Sequence, residues 1–199
     1  MIYSVYNIKD LSNQEYSYWF SLMSKDKRER IQSFRFLDDQ KRSVAGEMLA
    51  RKLIGKSTSI EPGDILFSKT KFGKPFAANV DIEFNISHSN DMVACAVDKL
   101  PIGIDIEKIR PINLSVAKHF CSGDDMIYIF GHNPNINELQ YSEDIEILKR
   151  FFEVWTKKEA YGKCKGTGII DAKSLQIKRV NDFRFINDYA FAIQIGNNI

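Results

Sequence analysis

Alternating apolar and polar side chains mark the strands that the sequence predicts. Residues 2–8 (IYSVYNI) have this period of two, and the run PIGIDIEKI repeats it with isoleucine at positions 102, 104 and 106. Because successive side chains of a strand point to opposite faces, Asp105 and Glu107 are expected on one face. Further strands are expected at 65–68, in EFNIS, at 92–98 (MVACAVD), at 175–179, and in FRFI and YAFAIQI.

Three segments have the apolar spacing of helices. They are residues 12–23, opening at Ser12, residues 38–55, ending near Gly55, and residues 145–165. In each half of the chain a helix precedes a pair of strands, which indicates a degenerate duplication. The predicted fold class is therefore α+β, a pseudo-dimer of two similar α+β halves. We place the halves at 1–100 and 101–199, with a mobile loop at 122–144 that holds at most one helical turn.

Composition restricts the class of protein. With 199 residues, 44% of them hydrophobic, the chain can bury one large core or two small ones. A formal charge of +2 excludes a surface committed to nucleic acid or to an anionic membrane. The three cysteines form no CxxC pair, which is typical of reduced thiols in a cytosolic protein. Neither a signal peptide nor a run of ~18 apolar residues is present, so we expect a cytoplasmic protein without a membrane partner.

Three carboxylates predict a metal site. Asp105 and Glu107 share a strand face, and Glu159 follows Phe152 and Trp155 at helical offsets, so its side chain continues a stripe that begins in the core. Buried carboxylates are costly unless they are paired or bound to a metal. Oxygen ligands suit a hard cation, so the sequence predicts Mg²⁺.

Spacing alone leaves another interpretation open. Asp105 and Glu107 could line a solvated strand face while Glu159 pairs with Lys163 one helical turn later. Glu153 is a weaker ligand candidate than Glu159, because six residues correspond to roughly 240° around a regular helix. We therefore expect Glu159 to be the helical ligand.

Basic and polar groups elsewhere suggest phosphate recognition. The segment SKDKRERIQSFRF is rich in lysine and arginine, although a solvated helix face explains it equally well. FNISHS ends a strand with Ser87 and His88, whose side chains can donate to phosphate oxygens, although such a histidine is often only a turn residue. The turn FGKP presents Lys74 on a stiff bend. Lys158 and Lys163 add cations beside Glu159, so we expect these groups to converge on one polyphosphate.

Four motifs together resemble a known family. FGKP, FNISHS, IGIDIE and WTKKEAYGKCKGTG occur in the order and approximate spacing of the 4′-phosphopantetheinyl transferases, over about residues 1–180. The chain is similar to the longer type, which activates the surfactin and gramicidin synthetases. The shorter holo-acyl-carrier-protein synthases resemble one half of this chain and assemble as trimers, so the duplication implies a monomer.

The resemblance implies a fold, a reaction and partners. Two similar α+β halves would hold coenzyme A and Mg²⁺ in the cleft between them. A serine hydroxyl of an apo carrier protein (peptidyl, aryl or acyl) would attack the β-phosphate of coenzyme A, leaving phosphopantetheine on the serine and releasing 3′,5′-adenosine bisphosphate. Nonribosomal peptide, antibiotic and polyketide biosynthesis are the processes that such an enzyme serves.

The resemblance also implies residue roles. Asp105, Glu107 and Glu159 would hold Mg²⁺, with Glu159 also the base, directly or through water, and Lys163 would neutralise the pyrophosphate. The expected coenzyme A contacts are Ser87, His88 and Lys158 at the phosphates, Lys27 and Arg30 at the 3′-phosphate, and Ser43, Gly73, Lys74 and Pro75 at the adenine side. His88 is expected among the catalytic residues as well. Arg30 stands where lysine is common in the family.

The 122–144 segment is the expected docking surface for the carrier protein, through Met126, Ile127, Tyr128 and Ile129. Two other functions are the alternatives to such a transferase. A magnesium-dependent nucleotide hydrolase or nucleotidyl transferase usually has a GxxxxGK[ST] loop, which this sequence lacks. A coenzyme A-binding module without turnover would not need the acidic residues and Lys163.

Overall fold

The computed structural model describes residues 1–70, 73–167 and 180–196. They divide into an N-terminal unit, Met1–Ile102, and a C-terminal unit that begins at Gly103. This division lies close to the predicted boundary at residue 100. Each unit combines a three-stranded sheet with a long helix, so the α+β class is confirmed.

The N-terminal unit is built on an antiparallel sheet in the order β1-β5-β4. Ser4 lies opposite Cys95, which in turn lies opposite Ile86. Helix α3 packs on β4 and β5 and buries Val44 and Met48 in the core. Its elements are β1 (Ile2–Asn7), α1 (Asn13–Ser21), α2 (Lys25–Gln32), α3 (Leu37–Thr58), β2 (Phe67–Lys69), β3 (Pro75–Ala77), β4 (Glu83–Ser89) and β5 (Met92–Asp98).

The C-terminal unit has a sheet in the order β6-β10-β9, against which α5 packs through β10. Its core is aromatic, with Phe120 edge-on to both Phe151 and Trp155. The elements are β6 (Ile102–Lys108), β7 (Ile112–Asn113), α4 (Gly123–Phe130), β8 (Tyr141–Ser142), α5 (Ile145–Lys165), β9 (Asp182–Ile186) and β10 (Tyr189–Ile195).

The two units share one topology in their described parts. In each, an edge strand comes first, a long helix follows, and a final hairpin places its last strand at the centre of the sheet. Thus β1, α3, β4 and β5 correspond to β6, α5, β9 and β10. The prediction of two similar halves is confirmed, and the match places the strand IGIDIEK at the same topological position as IYSVYN.

Some predicted boundaries are wrong. Helix α3 continues past Gly55 to Thr58 and ends at Ser59, whose backbone is left-handed (φ 61°) and donates to the Gly55 carbonyl. The strand expected at 65–68 is β2, which begins at Phe67. The strand expected in EFNIS is β4, which continues to Ser89. The predicted strand at 175–179 and Phe72 of the FGKP turn lie outside the described residues.

The 122–144 segment has more regular structure than predicted. Ser122 and Asp125 form a capping box that opens α4, because Ser122 accepts from the Asp125 amide while the Asp125 carboxylate accepts from the Ser122 amide. A 3₁₀ turn at Ile136–Glu138 and strand β8, paired with β7, follow. The expectation of a loop with at most one helical turn was therefore wrong, and its mobility stays a prediction.

None of the helices within 1–70, 73–167 and 180–196 combines the length and the apolar character that a membrane crossing requires.

Candidate functional site

A close approach of strand to helix builds the centre of the C-terminal unit. A Cβ atom at Gly103 would lie 2.0 Å from the Ala160 carbonyl oxygen and 2.5 Å from the Cys164 amide nitrogen. No side chain fits there, so only glycine lets β6 touch the backbone of α5. Asp105, two residues further along β6, is thereby carried toward the last turns of that helix.

Asp105 is bound by a lysine of α5. Its carboxylate is only 1% exposed, and the Lys163 ammonium donates to Oδ1 at 2.6 Å. All of β6 from Ile102 to Ile106 is buried, so alternation does not divide this strand into a dry and a wet face. The alternative interpretation, in which Asp105 is solvated, is therefore wrong. The Lys163 ammonium binds Asp105 of the strand.

Glu159 lies one turn before Lys163 and is half-buried. Burial raises the pKa of its carboxyl group, the negative charge of Asp105 raises it further, and the Lys163 charge partly opposes both. Two carboxylates and one lysine therefore share a partly dry environment. A carboxylate with a raised pKa is a better proton acceptor than one in water.

Asp105, Glu107 and Glu159 are the candidate ligands for Mg²⁺. Glu107 shares the face of Asp105 on β6 and is half-buried. In the described parts of the chain, no three His, Cys, Asp or Glu side chains are gathered closely enough to form a metal-binding group. Mg²⁺ is usually bound through one or two carboxylates together with substrate phosphates and water, so the acidic oxygens of Asp105 and Glu159 fit it chemically. The role of Glu107 as a ligand stays a prediction.

Glu153 has a structural role. Tyr128 donates to its Oε2 at 2.7 Å and Lys157 to its Oε1 at 2.5 Å, which ties α4 to α5. Burial and this hydrogen bond raise the pKa of Tyr128 to about 12. The contacts of Glu153 with Tyr128 and Lys157 agree with our choice of Glu159 as the acidic group of the site.

Lys158 is fully buried, and its ammonium pairs with Asp125 at 2.8 Å. The same carboxylate accepts from the amide and hydroxyl groups of Ser122. This buried network joins α4 to α5 beside Glu159. The expected contact of Lys158 with coenzyme A stays a prediction, and the structure gives the ammonium a partner inside the protein.

The N-terminal unit contains a pocket of about 300 Å³. It brings together two of the predicted coenzyme A contacts, Lys27 of α2 and Pro75 of β3, with Phe67 and Lys69 of β2. Burial lowers the pKa of Lys27, an effect that Glu47 opposes and that Arg30 and Lys69 reinforce. A basic, partly apolar pocket of this size suits a flat ring that carries a phosphate.

Glu47 and Arg51 of α3 form the wall of this pocket. The Arg51 guanidinium is 4% exposed, pairs with Glu47 at 2.8 Å, and lies over the Phe67 ring. It also donates to the carbonyls of Leu22, Pro62 and Ile65. Arg51 therefore fixes the two segments that flank the pocket.

The other contacts predicted for the N-terminal unit do not line this pocket. Lys74 contacts Glu83 at 3.4 Å, next to Gly73, whose backbone is left-handed. On β4, Ser87 is buried and His88 is exposed. Arg30 is exposed on α2, and Ser43 is half-buried on α3.

Three features were not recognised from the sequence. Gly103 is part of the IGIDIE motif, but the neighbouring residues give no sign of its contact with α5, which is distant in sequence. Asp125 belongs to a capping box, Ser122-x-x-Asp125, which is a readable pattern. Glu47 and Arg51 have the i,i+4 spacing of an ion pair. A correction concerns Ile129, which is fully buried and so cannot belong to a docking surface, whereas Ile127 and Tyr128 are exposed.

Comparison with known proteins places both units in one family. Residues 10–100 match the family described as "4′-phosphopantetheinyl transferase, N-terminal", and residues 101–195 match the "4′-phosphopantetheinyl transferase superfamily". The chain is 36% identical over 169 residues to the 4′-phosphopantetheinyl transferase Sfp of Bacillus subtilis (strain 168), covering 84% of this chain and 71% of that protein. It is 35% identical over 160 residues to the transferase gsp of Aneurinibacillus migulanus, covering 80% and 63%.

A more distant relative, the transferase HetI of Nostoc sp., is 34% identical over 163 residues, which are 78% of this chain and 64% of that protein. The chain therefore belongs to the 4′-phosphopantetheinyl transferase superfamily. Both the resemblance to the longer type and the prediction of an enzyme of this class are confirmed. Membership supports transfer of phosphopantetheine from coenzyme A to a carrier protein.

Proposed function

We propose that this enzyme transfers 4′-phosphopantetheine from coenzyme A to a serine of an apo carrier protein in a Mg²⁺-dependent reaction that releases 3′,5′-adenosine bisphosphate. The observation that carries the proposal is the buried Asp105 paired with Lys163, beside Glu159 with its raised pKa. Acidic groups and a cation on one strand and one helix turn are what a phosphoryl-type transfer needs, because it depends on positioning and charge neutralisation.

Glu159 is the proposed base for the serine hydroxyl. Burial and the nearby Asp105 charge raise the pKa of its carboxyl group, so it takes up a proton more readily than an exposed glutamate does. Once protonated it no longer repels Asp105, which favours the proton transfer further. Proton transfer through a bound water uses the same group.

Asp105 and Glu159, with Glu107 as the third predicted ligand, are the residues that would hold Mg²⁺. The ion would supply positive charge to the diphosphate and stabilise the departing adenosine bisphosphate. Lys163, half-exposed at the end of α5, is long enough to offer its ammonium to the same phosphates. The chain's own contribution is to fix these groups on rigid elements before the substrate binds.

The N-terminal unit is proposed to bind the adenosine end of coenzyme A. Its pocket combines the apolar Phe67 and Pro75 with the ammonium groups of Lys27 and Lys69. The lowered pKa of Lys27 reflects a desolvated ammonium, which binds a phosphate more strongly than a hydrated one does. The contacts predicted for Arg30, Ser43, Gly73, Lys74, Ser87 and His88, including the catalytic role of His88, stay proposals.

Helix α4 is proposed to dock the carrier protein. Ile127 is 48% and Tyr128 39% exposed, on a helix whose other face is buried. An exposed apolar pair of this kind suits the apolar face of a partner helix. Replacing both residues with serine is expected to raise KM for the carrier protein and leave KM for coenzyme A unchanged. An unchanged carrier KM would remove the basis for this surface.

We further propose that the enzyme acts in the cytoplasm as a monomer and serves nonribosomal peptide or polyketide synthesis. Mass spectrometry of a panel of apo carrier proteins, incubated with enzyme, coenzyme A and Mg²⁺, tests the function. A phosphopantetheine adduct on the carrier serine is the expected result, with 3′,5′-adenosine bisphosphate as the second product. The absence of any adduct across peptidyl, aryl and acyl carriers would contradict the proposal.

A further inference from the structure

The cation that pairs with Asp105 is a side chain of the protein, the ammonium of Lys163. Lys163 donates to Oδ1 of Asp105 at 2.6 Å, and the carboxylate is almost completely buried. A buried charge without a partner costs several kcal/mol, roughly, so the ammonium stabilises the strand in the state described. The carboxylate that is predicted to hold the metal therefore has a partner within the protein.

Two lysines of α5 differ in their freedom to move. Lys158 is fully buried, and its ammonium is held by Asp125. Lys163 is 29% exposed, and it lies in the last turn of the helix, ahead of the left-handed Gly166. Its flexible four-carbon stem can redirect the ammonium at little cost.

We propose that Lys163 is a placeholder cation, which occupies Asp105 in the free enzyme and transfers to the coenzyme A diphosphate when a divalent cation takes its place on the carboxylate. This inference rests on the proposed function of the same site. It assigns one residue two successive partners, Asp105 and the diphosphate. The charge of the divalent cation offsets that of the incoming diphosphate, so the site as a whole has the same net charge in both states.

Coupled binding follows from this exchange. Without coenzyme A, a divalent cation must displace Lys163 from Asp105 when no diphosphate is present to accept the ammonium. With coenzyme A bound, the diphosphate accepts the displaced ammonium, so the metal binds more tightly. By linkage, the metal tightens coenzyme A binding by the same factor.

Metal binding to the enzyme without coenzyme A tests the proposal independently of turnover. Mn²⁺ is titrated into the wild type, Lys163→Met and Lys163→Gln, and free Mn²⁺ is followed by electron paramagnetic resonance. Both variants are expected to bind Mn²⁺ about ten-fold more tightly than the wild type, the factor that 1.4 kcal/mol of lost competition produces. The tightening by coenzyme A, large in the wild type, is expected to shrink in both variants.

Lys165→Met is the matched control, because Lys165 is exposed at the same helix end and its removal changes the net charge equally. Its Mn²⁺ affinity should equal that of the wild type. Unchanged or weaker binding in the Lys163 variants, or an equal gain in Lys165→Met, would overturn the proposal. Carrier modification by the wild type is measured separately, so a failure of the placeholder is distinguishable from a failure of the proposed function.

Discussion

Helices α3 and α5 stand at the same position in their units, and each has a glutamate four residues before a cation. In α3, Glu47 and Arg51 form an ion pair with each other, and Arg51 also donates to three backbone carbonyls. In α5 the cation Lys163 instead reaches Asp105 on β6, while Glu159 keeps a raised pKa.

The strands explain this difference. The strand that precedes α3 in the shared topology, β1, reads IYSVYN and has no acidic residue. Its counterpart β6 contains Asp105 and Glu107. The same scaffold thus gives an ion pair within the helix in one unit and an ion pair from the helix to the neighbouring strand in the other. A carboxylate on the neighbouring strand decides which of the two forms.

The largest expected difference is in catalysis. Glu159→Gln should fold and bind coenzyme A but lose about 10²- to 10⁴-fold in kcat, the usual contribution of a positioned base. Glu47→Gln should cost stability and coenzyme A affinity without a comparable loss of the chemical step. Single-turnover rates at saturating substrates compare the two. A Glu159→Gln variant as fast as the wild type would eliminate the base.

The two cations should differ in whether Mg²⁺ can compensate for their loss. Arg51→Met should lower the free energy of unfolding by about 3–5 kcal/mol, since it leaves Glu47 without its guanidinium and three carbonyls without a donor. Lys163→Met should lower it by a similar amount, because it leaves the buried Asp105 carboxylate without its ammonium. Urea unfolding with and without Mg²⁺ measures both. Mg²⁺ should restore the Lys163 variant alone, and an equal recovery of Arg51→Met would contradict the comparison.

Two glycines sharpen the contrast in packing. Gly103→Ala should destabilise by about 3 kcal/mol or more, because the new Cβ meets backbone atoms of α5 that cannot yield. Gly46→Ala on α3 meets side chains only, Ile86 at 3.1 Å and Val93 at 3.8 Å, so a change of about 1 kcal/mol or less is expected. Thermal unfolding compares them. Similar losses in both variants would show that the close approach at Gly103 has no special importance.

The smallest expected effect is a dependence of stability on pH. The raised pKa of Glu159 means that the folded state favours its protonated form. The stability that this protonation contributes is complete below the pKa of an unfolded glutamate and is lost as pH rises through the folded value. In EDTA, Glu159→Gln should therefore match the wild type in acid and exceed it in stability at neutral pH. A constant difference at all pH values would contradict the shift.

Much of the fold was predictable, because its signals are local. Helix α5 and strand β5 have the predicted bounds, and the repeated order of elements indicated the duplication. The boundary of α3 was missed, since Gly55 can end a helix but here serves a close approach of the Ile60 carbonyl. The helix of the 122–144 segment was missed because its capping box was not recognised.

The site was predictable in its residue types and not in its partners. The sequence indicated that Asp105, Glu159 and Lys163 belong together, but helical spacing favoured a Glu159–Lys163 pair over the pairing across to β6. Lys158, whose contact with a phosphate stays a prediction, is paired with Asp125, and that pair was not predicted. Such contacts depend on how a strand and a helix meet, which depends on Gly103 and on packing far along the chain.

We propose that the acidic groups of β6 and α5, and not those of α3, hold the divalent cation. Crystals grown with coenzyme A and Mn²⁺ and measured for anomalous scattering of manganese test it most directly. We predict a manganese peak on the carboxylates of Asp105 and Glu159, with the Lys163 ammonium on the diphosphate. A peak elsewhere, with Lys163 still bound to Asp105 beside the diphosphate, would contradict the account.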